Sequence, residues 1–530
     1  MCSMADPNRL HGPLSPPSLR RLLWRPPSVA VATISVFFSI PAYGHGFGLR
    51  YDLPLPLALW IGGAASTVLL SFLIVAIAVR SNAFVAAPVQ LDLGRRQLRN
   101  SVAHGMAGFV ARLLAVSALA LVVVAGIIGE QIPTRNLAPT AIWIAWWIGF
   151  SYVSAFVGNI WSVVNPWAAV FDWCEQLVCN SAKPRTAKVH WPGWLDVWPA
   201  TGLFLVFAWL ELIWEGRSIP LRLAWMAIGF SVLTWTGMFL FGRRIWLTRA
   251  DPFALAFGIL ARFGPVEIRV EPTVCDACAA RGRTATDHRE RLDCDACDRA
   301  SQSRRRWLLR PPGAGLLHTE DVSHALAIFV IVMLSTLTFD GLMATPFWQR
   351  IENAMYVALP ALGDARLAII NTLGLLAFCG LFAALYRVVV TWIARYSGNR
   401  MTADAASRAF VLTLVPIAIA YLVAHYLSYF LIQGQLLIRL ASDPFGFGWN
   451  IFGTARFRPD IGIVGARFVW YTSLIAIVIG HVAAVSLAHI IALRRLGDSR
   501  LAIHSQIPML VLMVAYTMLS LWIIAQPIVE

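Results

Sequence analysis

Stretches of about twenty predominantly apolar residues, the length that carries a helix across a bilayer core, recur ten times along this chain. They fall at 55 to 79, 105 to 128, 140 to 164, 197 to 215, 221 to 242, 323 to 344, 367 to 390, 409 to 432, 467 to 490 and 507 to 526. In lipid the backbone must satisfy its own polar groups, so such stretches become helices. The expected fold class is all-α, a polytopic transmembrane helix bundle. With 58% hydrophobic residues, 13% charged residues and 22 tryptophans, the chain is too apolar for a soluble globular protein, and its first partner is the lipid bilayer.

The distribution of Lys and Arg in short loops sets orientation. Arg80, Arg95, Arg96 and Arg99 follow the first stretch, Lys183, Arg185 and Lys188 the third, and Arg243, Arg244 and Arg249 the fifth. Arg395 and Arg400 follow the seventh, and Arg494, Arg495 and Arg500 the ninth. Intervening loops such as "GEQIPTRNLAP" and "ASDPFGFGWN" are poorer in charge or mixed. The alternation predicts a multi-pass protein of an inner (plasma) membrane, with the mature N-terminus and the C-terminus outside. The formal charge of +15 is then largely topogenic, with some attraction to anionic lipid, and does not call for nucleic acid.

Upstream of the first span, "SPPSLRRLLWRPPSVAVATISVFFSIPAYG" combines a basic n-region (Arg20, Arg21, Arg25), an apolar core from about Val29 to Ile40 and Pro41, the shape of a secretory signal. Ala42 and Gly44 supply the small residues that cleavage needs, which would leave His45 at the amino terminus. An uncleaved signal anchor, with His45 an ordinary loop residue, is the alternative. The expected organisation is a signal over 1–44, a five-span half over 45–242, a basic cytoplasmic loop over 243–321 and a second five-span half over 322–530. No convincing repeat relates the halves.

The loop opens with "RADPFALAFGILARFGPVEIRVEP", which reads as a short interfacial helix with Phe253, Leu255, Leu260 and Phe263 along one face beside Arg249 and Arg262. "NPWAAVFDWCEQLVCN" reads as another on the inner face. Then Cys275, Cys278, Cys294 and Cys297 form two CxxC knuckles fifteen residues apart, the spacing of a four-cysteine zinc ribbon. Two knuckles can turn four thiolates toward one tetrahedral, structural zinc. Redox disulfides, or His288 in place of one thiol, are the competing readings, the first disfavoured by a reducing compartment. Cys2, Cys174, Cys179 and Cys379 show no such pattern.

Ionisable residues inside spans are costly and mark candidate sites. Glu211 lies near the outer end of the fourth span, where a snorkelling or salt-bridged residue is the plain reading. Asp340 lies near the outer end of the sixth, after Thr336 and Thr338. The eighth, "FVLTLVPIAIAYLVAHYLSYFLIQGQ", carries Pro416, then Tyr421, His425 and Ser428 on one helical face, and Gln433. Interhelical hydrogen bonding is the bland alternative for that face. The ninth carries His481 and, about 12 Å deeper by helical rise, His489. His425 is expected about 10 Å shallower than His481 on the same rise, so shared ligation would need tilt.

The strings "HGFGLRYDLPLP", "STLTFDG", "VPIAIAYLVAHYLSYFLIQGQ", "SDPFGFGWNIFGT", "WYTSLIAIVIGHVAAVSLAH" and "QIPMLVLMVAYTMLSLWIIAQP" together resemble the bacterial polytopic membrane proteins known as fenitrothion hydrolase. The resemblance covers most of the mature chain; the cysteine-rich insert is not part of that pattern. It implies a membrane-bound organophosphate (phosphotriester) hydrolase-like protein acting on a small molecule, and carries over no catalytic residue. Placement alone nominates His45, Asp340 and His425 as catalytic candidates, with Asp52 and Asp443 on the same face. A terminal His45 could chelate copper or zinc through its amine and ring, with His425 and His481 as further ligands. Neither an HExxH motif nor a GxSxG elbow occurs. The competing class is a transporter or metal-handling permease built on the Pro416-broken helix and the membrane histidines. The sequence names no partner subunit.

Overall fold

The computed structural model describes residues 44–46, 49–51, 54–79, 90–92, 102–178, 188–270, 305–319, 322–398 and 400–526. The signal segment before residue 44, Asp52, Cys2, Cys179, His288 and the zinc candidates Cys275, Cys278, Cys294 and Cys297 lie outside the described residues.

Among the described residues nine helices are long and apolar enough to cross a membrane, so the protein is a mostly helical, integral membrane bundle. Their principal elements are α1 (Leu57–Ala78), α2 (Val102–Ile128), α4 (Trp198–Leu212), α5 (Pro220–Phe241), α8 (His324–Met343), α10 (Arg366–Tyr396), α12 (Val415–Gln433), α14 (Ala466–Leu496) and α15 (Ser499–Ala525). Shorter helices join them: α3 (Pro166–Val178), α6 (Arg243–Arg249), α7 (Pro252–Leu260), α9 (Pro346–Ala358), α11 (Ala403–Phe410) and α13 (Leu436–Ser442).

The expected span at 140 to 164 is not among the nine. Short α-helical turns at Leu137–Pro139 and Gly149–Phe156 flank a π-helix over Thr140–Ile148, and the run stops at Gly158. Bulky Trp143, Trp146 and Trp147 crowd the widened turns. Gly158 has φ +152°, and a Cβ there would lie 2.2 Å from the Val266 carbonyl, so only glycine fits. Both ends of the run are pinned. Leu137 N–H donates to Pro444 O, and Val266 N–H donates to Val157 O. The run therefore bridges the loop after α13 and a small sheet near residue 266.

That sheet is antiparallel, in the order β3 (Leu91–Asp92), β5 (Arg305–Leu309), β4 (Val266–Val270), an addition to the all-α expectation. Arg310, 8% exposed, locks it down: its guanidinium donates to Glu267 and to the carbonyls of Ala261, Arg262 and Gly264. Burial draws this guanidinium below its ordinary value, and the Glu267 carboxylate opposes the shift. The sheet marks one end of the bundle, called here the sheet end. A hairpin, β1 (Gly44–Gly46) with β2 (Leu49–Tyr51), pairs His45 with Arg50 and packs on α14.

The stretch expected as an interfacial helix is α7, and it lies inside the bundle. Phe253, Ala256, Phe257, Ile259 and Leu260 are all buried. Asp251 caps it, accepting from the amides of Phe253 and Ala254 at 2.9 and 3.0 Å, and an almost wholly apolar helix has no polar face to show an interface. Phe253 packs against Trp146, Phe207 and Phe230.

The helix α8 is central, in contact with α4, α10, α11, α12 and α15. Against α12 runs α14, and Gly480 makes that crossing close. A Cβ on it would meet Ala420 Cβ at 2.5 Å and Pro416 O at 2.7 Å. A 3-10 turn, Val411–Leu414, precedes Pro416, so the ring never faces a carbonyl it would block.

Candidate functional site

Near the last turn of α8, Asp340 meets α12. His425 Nε2 lies 2.9 Å from Asp340 Oδ2, and Tyr426 O–H donates to the same oxygen at 2.5 Å. The side chains of His425 and Asp340 are 22% and 23% exposed. A carboxylate bonded in this way accepts only, so His425 donates from Nε2–H, and in the neutral ring that leaves the lone pair on Nδ1. The structure thus brings together Asp340 and His425, two candidates from spans 85 residues apart in sequence.

The α8 turns below Asp340 are polar yet self-satisfied. Ser335, Thr336 and Thr338 hydroxyls donate to the carbonyls of Val332, Met333 and Leu334 at 3.0, 3.1 and 2.8 Å. Gly341 leaves room for a neighbour: a Cβ there would fall 2.0 Å from the Tyr421 hydroxyl. Tyr421 stacks on His425 with ring centroids 5.9 Å apart, and lies within electrostatic reach of both Asp340 and Tyr516. Thr338 and Tyr516 share a hydrogen bond, and the Tyr516 ring lies 5.6 Å from that of His481. A file of hydroxyls and imidazoles thus descends from Asp340 into the bundle.

His481 does not join His425. Ser473 donates to Ala424 O at 3.0 Å, which sets residue 473 level with 424, and His481 lies eight residues further along α14, about 12 Å by helical rise. The tilt that shared ligation needed is absent. His481 Nδ1 bonds Ile477 O at 2.8 Å, while Nε2 is buried without a partner. His489 Nε2 bonds Val79 O at 3.2 Å. Asp443 spends both oxygens on the amides of Phe447 and Gly448, at 2.9 and 2.7 Å, and shapes its loop. The backbone of His45 is in β1; its side chain lies outside the described residues. Among the described residues no three His, Cys, Asp or Glu side chains converge as a metal site.

Glu211, at the end of α4, is neither snorkelled nor salt-bridged among the described residues. Arg217, in the turn after α4, donates instead to the carbonyls of Leu212 and Glu211 at 2.5 and 3.3 Å and caps the helix. Glu211 faces a cavity of about 10 Å³ that it shares with Asp340, Thr336, Tyr426 and Trp147. Tyr426, Tyr516 and Trp147 were not legible as site residues. The only signal for Tyr426 is its place beside His425, and its offset from the Tyr421–His425 stripe points it elsewhere on the helix.

No family model, curated protein or solved structure matches the chain.

Proposed function

We propose that the protein is a membrane-bound hydrolase of small phosphotriesters, with the Asp340–His425 pair as its general base. The observation that carries this is the pair itself. Asp340 holds the imidazole by Nε2, which leaves Nδ1 to take the proton of an attacking water while Tyr426 steadies the carboxylate, the division of labour of a carboxylate–histidine dyad. The resemblance to the fenitrothion hydrolase proteins suggests the substrate class, and the loop charges support a reading in which this end faces outward from a bacterial inner membrane. Among the described residues no three metal-ligating side chains converge, and the side chain of His45 lies outside them, so no step is routed through a metal.

In membranes, release of nitrophenol from an aryl dialkyl phosphorothioate should fall about 100-fold or more in His425→Gln and Asp340→Asn, the scale of general-base catalysis. Tyr386→Phe, whose hydroxyl bonds Ser407 O elsewhere, should keep the wild-type rate. Full activity in His425→Gln would sink the reading.

A second reading, a proton-coupled permease, is favoured by one observation, the Tyr421–Thr338–Tyr516–His481 file below the pair. Intramembrane files of this kind suit proton relays. Independently, Cys275, Cys278, Cys294 and Cys297 are proposed to hold one structural zinc on the cytoplasmic side. Reduced, purified protein should carry one equivalent of zinc and lose it when all four become Ser; less than half an equivalent in the parent protein would refute that assignment.

A further inference from the structure

The cavity beside Asp340 has about 10 Å³, space for one water, and its walls say what would sit there. Trp147 is 3% exposed and its Nε1–H has no acceptor in bonding geometry, although it faces Glu211. A buried donor left unmet carries the cost of its lost hydration, which a ligand with a lone pair relieves. Glu211 lines the same cavity without an ion-pair partner among the described residues, within electrostatic reach of Asp340. On Asp340 both hydrogen bonds fall on Oδ2, and Oδ1 receives none.

We propose that Glu211 is the proton partner of Asp340, the two carboxyl groups exchanging one proton through a single water held between them. The water accepts a proton from the Glu211 carboxyl and passes one to the Asp340 carboxylate. An O–H bond breaks at Glu211, another forms at Asp340, and the water and total charge are unchanged. Run in reverse, the step clears a proton that the pair has taken up. The inference rests on the reading of the Asp340–His425 pair as a proton acceptor, and assigns Glu211 a role as the group that loads and unloads it. Trp147 is a positioning residue for the water.

Infrared spectroscopy of the full-length protein in lipid nanodiscs tests this without a substrate. Expected is a carbonyl-stretch band of a protonated carboxyl that moves on ¹³C-carboxyl labelling of glutamate, disappears in Glu211→Gln, and changes position or intensity in Asp340→Asn. The isotope makes the assignment without altering the chain, so a poorly folding variant does not decide it. If no such glutamate band is lost in Glu211→Gln, or if that band is indifferent to Asp340→Asn, the exchange is wrong. His425→Gln removes neither carboxyl. Should phosphotriester activity survive that change while the Glu211 band still answers to Asp340, the hydrolase reading fails and the exchange stands.

Discussion

Helices α8 and α10 are equally apolar and adjacent, yet they live in different surroundings. The apolar window of α8 is 83% buried inside the protein, and that of the helix containing α10 is 22% buried. The long helical stretch Ala403–Ser442, which holds α12, is also 83% buried, whereas the more apolar α2 reaches 17%. Hydropathy thus reports that a helix crosses the bilayer, and small polar residues report which crossing is central. Ser335, Thr336, Thr338, Asp340 and Gly341 lie on α8; Leu373, Leu376, Leu381 and Leu385 stand exposed on α10. Polar groups in a bundle face protein or a cavity, so the central helices are those able to build a site.

The sharpest way to break this contrast is to truncate one apolar side chain on each helix. Phe329, 0% exposed on α8, should cost about 3–5 kcal/mol as Phe329→Ala. Leu376, 47% exposed on α10, should cost under about 0.5 kcal/mol as Leu376→Ala, because lipid replaces the lost contact. Unfolding of both in nanodiscs, followed by near-ultraviolet circular dichroism, would erase the contrast if the costs were equal.

Glycines give a smaller, paired effect. Gly480→Ala should destabilise by about 1–3 kcal/mol through overpacking, since its Cβ meets α12 within 2.7 Å. Gly62→Ala on α1, with nothing within 4 Å, should be neutral or stabilising by up to about 1 kcal/mol. The same unfolding measurement checks both, and equal shifts would show that the α12–α14 crossing is loose.

An effect of similar size, visible only as a pH dependence, is expected at the buried cap of α7, outside the nine spans. Burial pushes the Asp251 carboxyl up to about 6 from its ordinary 3.8, against the two amide bonds that lower it. A carboxyl raised in the folded state contributes stability that is fully present below about 3.8 and lost as pH rises through about 6. Wild type should therefore gain on the order of 1–3 kcal/mol between pH 7 and pH 4 relative to Asp251→Asn, which keeps the cap and removes the titration. Parallel pH profiles for the two proteins would contradict it.

Much of this was legible in the chain. Nine of the ten apolar stretches are spanning helices, and equal depth alone put Asp340 and His425 near one surface. What the pattern could not give was side-chain direction. Periodicity set Tyr421 and His425 on one stripe, but the carboxylate took Tyr426 as well because a buried anion gathers whichever donors lie within reach. The third stretch is helical from Leu137 to Phe156 but is a π-helix over Thr140–Ile148, where Trp146 and Trp147 pack against Phe253 of α7, a departure that hydropathy does not report. The sheet was hidden for a different reason: β3 and β5 are over 200 residues apart in sequence, and a two-residue strand such as β3 carries no alternation to read.

The central claim is that Asp340 fixes the His425 ring with Nε2 protonated and Nδ1 bare. ¹⁵N NMR of the histidine-labelled protein in nanodiscs, with His425→Gln to assign the signal, measures this directly. The expected result is a neutral ring whose proton sits on Nε2, switching to a mixture of tautomers in Asp340→Asn. A proton found on Nδ1 in the wild type, or a tautomer unchanged by Asp340→Asn, would contradict it.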